Sequence, residues 1–254
     1  YYIVSYLELV NINKIKLGDK VNFVVPTGNF GNILAGYYAE QIGLPVNKLI
    51  CASNNNNVLY DFLKTGVYDK NRDFLKTVSP SMDILISSNL ERLLYYVSGC
   101  DNAYVASLMK DLKETGRFEV TKEILNRIQE KFQTGFADDL DTKQTIKKIY
   151  EKDSYLLDTH TAVAYKVLLD NLDKEHVNVV LSTASPYKFT ESVYTSLNEA
   201  TNEDEFTLMN KLYEQTKVAI PENLKDLDKK EIRHKDVINK NEMKKYILEK
   251  LGDL

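Results

Sequence analysis

The sequence predicts an α/β protein: an open, mainly parallel twisted sheet flanked by helices, with a helical insertion and a helical C-terminal tail. Two observations carry the sheet. Between Lys20 and Ser53 a strand, a glycine-containing loop, a helix and a second strand follow one another, and such a βαβ unit requires parallel strands. A further β-branched run, Val177 to Leu181, leads through a turn into another helix. Between these runs the apolar residues recur at helical spacing, which predicts the insertion.

The elements follow in order. Tyr2, Ile3, Tyr6, Leu7 and Val10 form one stripe of a helix already under way at the first residue, so the chain reads as a piece of a longer protein. Val21 to Val25 is β-branched and aromatic, a strand buried on both faces, and Pro26 ends it. Ile33, Leu34, Tyr37, Tyr38 and Ile42 line a helix that Gly43 stops and Pro45 prevents from continuing; Lys48 to Ala52 is the next strand. Asn54 to Asn57, the one low-complexity patch, is expected to be a polar loop. In the middle, Ser88 or Asn89 is expected to cap a helix through Tyr96, and a helix from Ala103 ends at Gly116. Thr121 caps another through Phe132, and Asp141 with Gln144 forms a capping box for a helix reaching Lys152. A helix from Thr159 to about Asn171 precedes Val177 to Leu181, expected to be a second buried strand; helices near 189–197, 206–213 and 241–251 follow. The expected division is an α/β domain over 1–200, with the insertion at about 100–152, and a helical extension over 201–254.

Composition narrows the function. Hydrophobic residues make up 43% and charged ones 28%, as in an ordinary globular chain, and 33 basic against 37 acidic residues leave a net charge of −4. Without a basic excess, no nucleic-acid partner is expected. No apolar run reaches the roughly 18 residues of a membrane span, and no membrane association is expected. Two cysteines without a C-x-x-C pair, and three histidines, support neither a disulfide framework nor a metal site; a reducing cytoplasm is the expected location.

One segment carries chemistry. Thr27-Gly28-Asn29-Phe30-Gly31-Asn32 stands where a buried strand passes into a helix. Two glycines let the backbone turn so that several N–H groups face one anion, and the helix N-terminus adds about half a positive charge. The pattern is neither G-x-G-x-x-G nor G-x-x-x-x-G-K-[ST], so neither a dinucleotide fingerprint nor a P-loop is present. Glycine placement alone leaves an ordinary βα turn standing beside a phosphate cradle. On the cradle reading, a β-branched residue at Gly31 abolishes anion binding.

Read together with its surroundings, Pro26 to Asn32 resembles the phosphate loop of threonine synthase, a pyridoxal-phosphate enzyme family of the tryptophan synthase β type. Ala52-Ser53-Asn54 with Asn57-Val58-Leu59, Ser79 to Ile84, Ser87 to Arg92, Asp158 to Val163 and Leu181 to Phe189 resemble that family in the same order. The resemblance implies that Gly28, Asn29, Phe30, Gly31 and Asn32 bind the cofactor phosphate, mostly through backbone N–H groups. It implies that the Thr183 hydroxyl hydrogen-bonds the pyridine nitrogen, where a hydroxyl suits an unprotonated nitrogen.

The activity implied is a lyase reaction, O-phospho-L-homoserine and water giving L-threonine and phosphate. Ser79, Ser81, Asn89 and Arg92 are the candidate contacts for the substrate phosphate. For Asp83, His160 and Lys188 structural or surface roles are expected. The family's Schiff-base lysine lies upstream of the glycine loop in a Phe-Lys-Asp context, and Tyr1 to Gly28 contains none. The chain therefore resembles the C-terminal portion of a threonine synthase without the N-terminal lysine-bearing domain, its partner in the same protein, and is expected to be inactive alone. Another lyase or dehydratase of the same cofactor fold, and a non-catalytic phosphate-ligand-binding module, are the alternatives.

Overall fold

The computed structural model describes residues 1–252. Helix α1 (Tyr2–Asn11) leads into strand β1 (Val21–Pro26), helix α2 (Gly31–Gln41), strand β2 (Val46–Ser53), helix α3 (Val58–Thr65) and strand β3 (Val67–Asp69). A 3-10 turn at Pro80–Met82 precedes helices α4 (Leu90–Val97) and α5 (Asn102–Thr115). Strand β4 (Arg117–Glu119), helix α6 (Lys122–Lys131), strand β5 (Phe132–Phe136), and helices α7 (Asp139–Asp153) and α8 (Thr159–Asp170) come next. Strand β6 (Val177–Val180), helix α9 (Thr190–Leu197) and helix α10 (Glu205–Thr216) complete a compact unit from Tyr1 to Val218. A second unit begins at Ala219 and contains helix α11 (Met243–Gly252), entered from a turn in which Asn239 and Glu242 form a capping box.

The main sheet has the order β5-β2-β1-β6, parallel throughout, and β3 pairs antiparallel with β4 in a separate ribbon. Alternation along the central strands divides the core. Val21, Phe23 and Val25 of β1, with Leu49 and Cys51 of β2, face Ile33, Leu34 and Tyr37 of α2. Val24, Ile50 and Ala52 face the opposite way, onto Val163, Ala164 and Val167 of α8. Helices on both faces are what a parallel sheet requires, and each fully buried Val or Leu side chain contributes about 1.5–3 kcal/mol.

Several expectations are corrected. β6 is half-buried along its length because it is an edge strand, with β1 on one side only. The middle stretch is not wholly helical: Phe132, expected to end a helix, starts β5, which pairs with β2. Asp141 does not head a capping box; Asp138 is the N-cap of α7 and accepts from the Asp141 N–H, leaving Asp141 in the first turn. Asn89 occupies the N-cap position of α4 but makes no capping hydrogen bond. Its side chain is engaged elsewhere.

Candidate functional site at the carboxyl ends of the strands

β1 and β6 are parallel neighbours, so the loop after β1 and the turn after β6 emerge at the same end of the sheet, where ligands of open α/β folds bind. The first loop is Thr27 to Phe30. Thr27 is anchored at both ends: its N–H donates to the Ala52 carbonyl (2.8 Å) and its hydroxyl to the Val25 carbonyl (2.7 Å). The left-handed residue is not a glycine but Phe30, at φ 62° and ψ 1°. A non-glycine residue tolerates this conformation only when its surroundings hold it there. Burial supplies the hold: the Phe30 ring lies in the core, its centroid 5.6 Å from that of Phe132. Phe30 can therefore offer a ligand only its backbone.

The glycines serve a different purpose from the one expected. Neither Gly28 nor Gly31 has a positive φ. A Cβ on Gly28 would stand 2.9 Å from Met82 Cα and 3.1 Å from the Ser81 carbonyl oxygen, so Gly28 permits close approach of two backbones. A Cβ on Gly31 would meet only the Asn89 side chain, at 3.3 Å. The strict glycine requirement falls on Gly28.

The backbone N–H groups of Gly28, Asn29, Phe30, Gly31 and Asn32 make no hydrogen bond among the described residues. Gly31 and Asn32 open α2, whose first turn contains no acidic residue. Five successive free donors at a helix N-terminus suit a tetrahedral oxyanion. The loop carbonyls, by contrast, are engaged: Ser87 Oγ donates to the Gly28 oxygen (3.0 Å) and Asn89 Nδ2 to the Asn29 oxygen (2.7 Å). Asn29 Oδ1 accepts from the Ser88 N–H (2.7 Å) and hydroxyl (2.8 Å). Tyr2, whose phenol burial pushes above its ordinary pKa, donates to the Asn32 carbonyl at 2.8 Å. Sequence reasoning missed Tyr2, Ser87 and Ser88; the Ser-Ser-Asn run ahead of a helix was the available signal for the last two.

Thr183 lies in the turn after β6, exposed, with no hydrogen bond from its hydroxyl among the described residues. It shares a cavity of about 360 Å³ with Asn32, Ser5, Leu181 and Ser182. The structure thus brings Asn32, which follows the glycine loop, and Thr183 to one cavity. The other predicted contacts separate. Asn89 touches the loop directly, and Arg92 reaches it through Asn89 Oδ1 (2.6 Å). Ser81 is exposed beside Gly28, its hydroxyl free of hydrogen bonds among the described residues. Ser79 is buried, its Oγ 3.1 Å from Asn54 Nδ2, and serves the neighbouring network.

Asn54 to Asn57 form the expected loop between β2 and α3, but two of its side chains are buried in a network. Asn54 and Asn56 are buried, and both donate to Asp83 Oδ1, at 2.8 and 3.0 Å. Thr77 adds its hydroxyl (2.7 Å) to Oδ1 and its N–H (2.9 Å) to Oδ2. Cys51, beneath the loop, is wholly buried, which pushes its thiol up to about 12. No group of three or more His, Cys, Asp or Glu side chains converges for a metal among the described residues. Lys14, Lys16 and Lys20 are exposed, and Lys188 extends over the Phe189 ring at 5.4 Å; no lysine lines the Thr183 cavity.

Comparison with known proteins bears on family and fold. Residues 161–247 match the family model described as threonine synthase, C-terminal. The chain is 39% identical over 244 residues to threonine synthase of Saccharomyces cerevisiae, covering 89% of this chain and 45% of that protein. The crystal structure of threonine synthase from yeast superposes with a TM-score of 0.84 at 37% identity, covering 100% of this chain and 51% of that one. A PLP-bound threonine synthase from Brucella melitensis gives 0.73 at 39% identity, over 82% and 45% of the two chains. The chain spans less than half the length of the curated relatives it matches. Sequence and fold together establish that it belongs to the threonine synthase family and matches the family's C-terminal portion.

Proposed function

We propose that this chain is the cofactor-phosphate-binding part of an enzyme that converts O-phospho-L-homoserine and water into L-threonine and phosphate with pyridoxal phosphate. The observation that carries the reading is the fan of five free N–H groups at the start of α2, sharing a cavity through Asn32 with the free hydroxyl of Thr183. In this reading the amides of Gly28 to Asn32 hold the cofactor phosphate, and Thr183 donates to the ring nitrogen. A neutral hydroxyl there leaves that nitrogen unprotonated, which a carboxylate would not. The bound cofactor supplies an electron sink for removal of the α and β protons and loss of the γ-phosphate. Asn89 and Arg92, already joined at 2.6 Å, provide neutral and cationic donors for the substrate phosphate, and the free Ser81 hydroxyl adds a third. Ser79 supports them from behind.

The amine that anchors the cofactor is assigned to a residue outside these 254, because the lysines near the site are exposed or turned onto Phe189. Residues 1–254 alone are accordingly assigned phosphate binding without turnover. Two free cysteines, Cys51 and Cys100, are consistent with a reducing cytoplasm as the place of work.

The test compares the full-length protein with residues 1–254. With O-phospho-L-homoserine, the full-length protein is expected to release phosphate and form L-threonine in equal amounts, and residues 1–254 to do neither. Borohydride reduction in the presence of pyridoxal phosphate should label no single lysine of residues 1–254 stoichiometrically. Stoichiometric labelling of Lys188 together with phosphate release would overturn the assignment.

A further inference from the structure

The wall of the cradle opposite Gly28 is not a regular element. It is the backbone of Ser81 and Met82, within a single 3-10 turn, close enough that a Cβ on Gly28 would lie 2.9 Å from Met82 Cα. Such a short turn has little stability of its own, yet the Gly28 backbone packs directly against it. Two side chains tie it and the residue after it into the surrounding scaffold.

Asp83 is the first. Both of its carboxylate oxygens are occupied: Oδ1 by Thr77 Oγ1, Asn54 Nδ2 and Asn56 Nδ2, Oδ2 by the Thr77 N–H. A carboxylate close to an oxyanion site would otherwise repel the ligand, and here its charge is absorbed by four donors that belong to the scaffold. His160 is the second. Its Nε2 accepts from the Ser81 N–H at 3.1 Å, which requires the ring proton on Nδ1. That nitrogen faces Thr159 Oγ1 at 3.3 Å and Asp158 Oδ1 at 3.5 Å, and the ring rests against Phe189 with centroids 4.5 Å apart. Neither Asp83 nor His160 hydrogen-bonds any atom of Gly28 to Asn32 among the described residues.

We propose that Asp83 and His160 are positioning residues of the anion cradle. They fix the Ser81–Met82 backbone against Gly28 and so keep the loop amides convergent before a ligand arrives. Preorganisation of this kind raises affinity by removing the cost of ordering the loop on binding. The inference rests on the reading of the loop as a phosphate site.

The experiment titrates the protein with inorganic phosphate, following the Gly28 and Gly31 amide resonances, and records thermal stability of each variant alongside. Asp83→Asn keeps the size but removes the charge and exchanges one acceptor oxygen for an NH2 donor among the Thr77, Asn54 and Asn56 donors. His160→Phe keeps the packing on Phe189 without an acceptor, and His160→Gln restores an acceptor near the place of Nε2. Asp83→Asn and His160→Phe are expected to weaken phosphate binding about tenfold and to shift the two glycine amides in the anion-free protein, whereas His160→Gln stays within about threefold of the unsubstituted protein. A merely structural role would lower the melting temperature without separating His160→Gln from His160→Phe in affinity. Folded Asp83→Asn and His160→Phe proteins that bind phosphate as the unsubstituted protein does would overturn the positioning role alone. Should Asp83→Asn not fold, the two His160 variants decide. Absence of phosphate binding in the unsubstituted protein would overturn the cradle itself and this inference with it.

Discussion

Two loops leave adjacent parallel strands at the same end of the sheet, and they treat their polar groups in opposite ways. After β1, the glycine loop leaves five successive N–H groups free among the described residues. After β2, Asn54 and Asn56 are buried and bound to Asp83, Thr77 and the backbone of Leu75. The lesson is physical. A loop that receives a ligand keeps its donors open and is held by its carbonyls and by a buried Phe30, while the supporting loop turns its buried side chains, Asn54 and Asn56, onto partners within the protein.

The largest effect should come from disturbing the receiving loop where it packs on the Ser81–Met82 backbone. Gly28→Val would drive a branched side chain into Met82 Cα, and is expected to abolish phosphate binding in a titration. It should also cost about 1–3 kcal/mol in chemical denaturation, the usual penalty of overpacking. Next comes the supporting loop: Asn54→Ala removes a donor from Asp83 and should lose about 2 kcal/mol of stability, the scale of a hydrogen bond to a charged group. Gly31→Ala should be mild by comparison, about 1 kcal/mol or less and without loss of binding, because its Cβ meets only the movable Asn89 side chain. If Gly31→Ala proved as damaging as Gly28→Val, the separate roles of the two glycines would be wrong.

Much of this was legible in the sequence. The βαβ unit and the glycine loop follow from β-branched runs and from Gly and Pro placement, and helix ends follow from caps such as Thr121 and Gly116. What escaped depended on long-range partners. Phe132 to Phe136 offers few β-branched residues, so β5 is fixed by its pairing with β2 and not by propensity. The Asn54–Asp83 network joins residues 29 positions apart, and a run of asparagines carries no local sign of burial. Phe30 could be recognised as belonging to the loop, but its left-handed backbone is stabilised by contact with Phe132, distant in sequence.

Acid should distinguish scaffold from cradle with a smaller effect. Burial opposes the Asp158 carboxylate, yet hydrogen bonds from His160 and Thr161 outweigh it and hold the carboxyl below its ordinary range. Asp173 is drawn down to about 2, first by the Asn22 side chain and then by the Glu175 N–H. Groups with depressed folded values stabilise fully above the unfolded value of about 4 and lose that contribution as pH falls through the folded value. Denaturation curves should therefore hold steady down to about pH 5 and weaken progressively between about 4 and 2. The smallest effect concerns thiols: exposed Cys100 should react with a thiol reagent in the native protein, while Cys51, pushed up to about 12 by burial, reacts only on unfolding.

The central claim is that open donors mark the receiving loop. It is tested most directly by the amide resonances of the protein during titration with inorganic phosphate. The account predicts that Gly28, Asn29, Phe30, Gly31 and Asn32 shift together along one saturable curve, while the backbone amides of Asn54 to Asn57 stay still. Shifts confined to the lysine-rich stretch after Ala219, or spread equally over both loops, would contradict it.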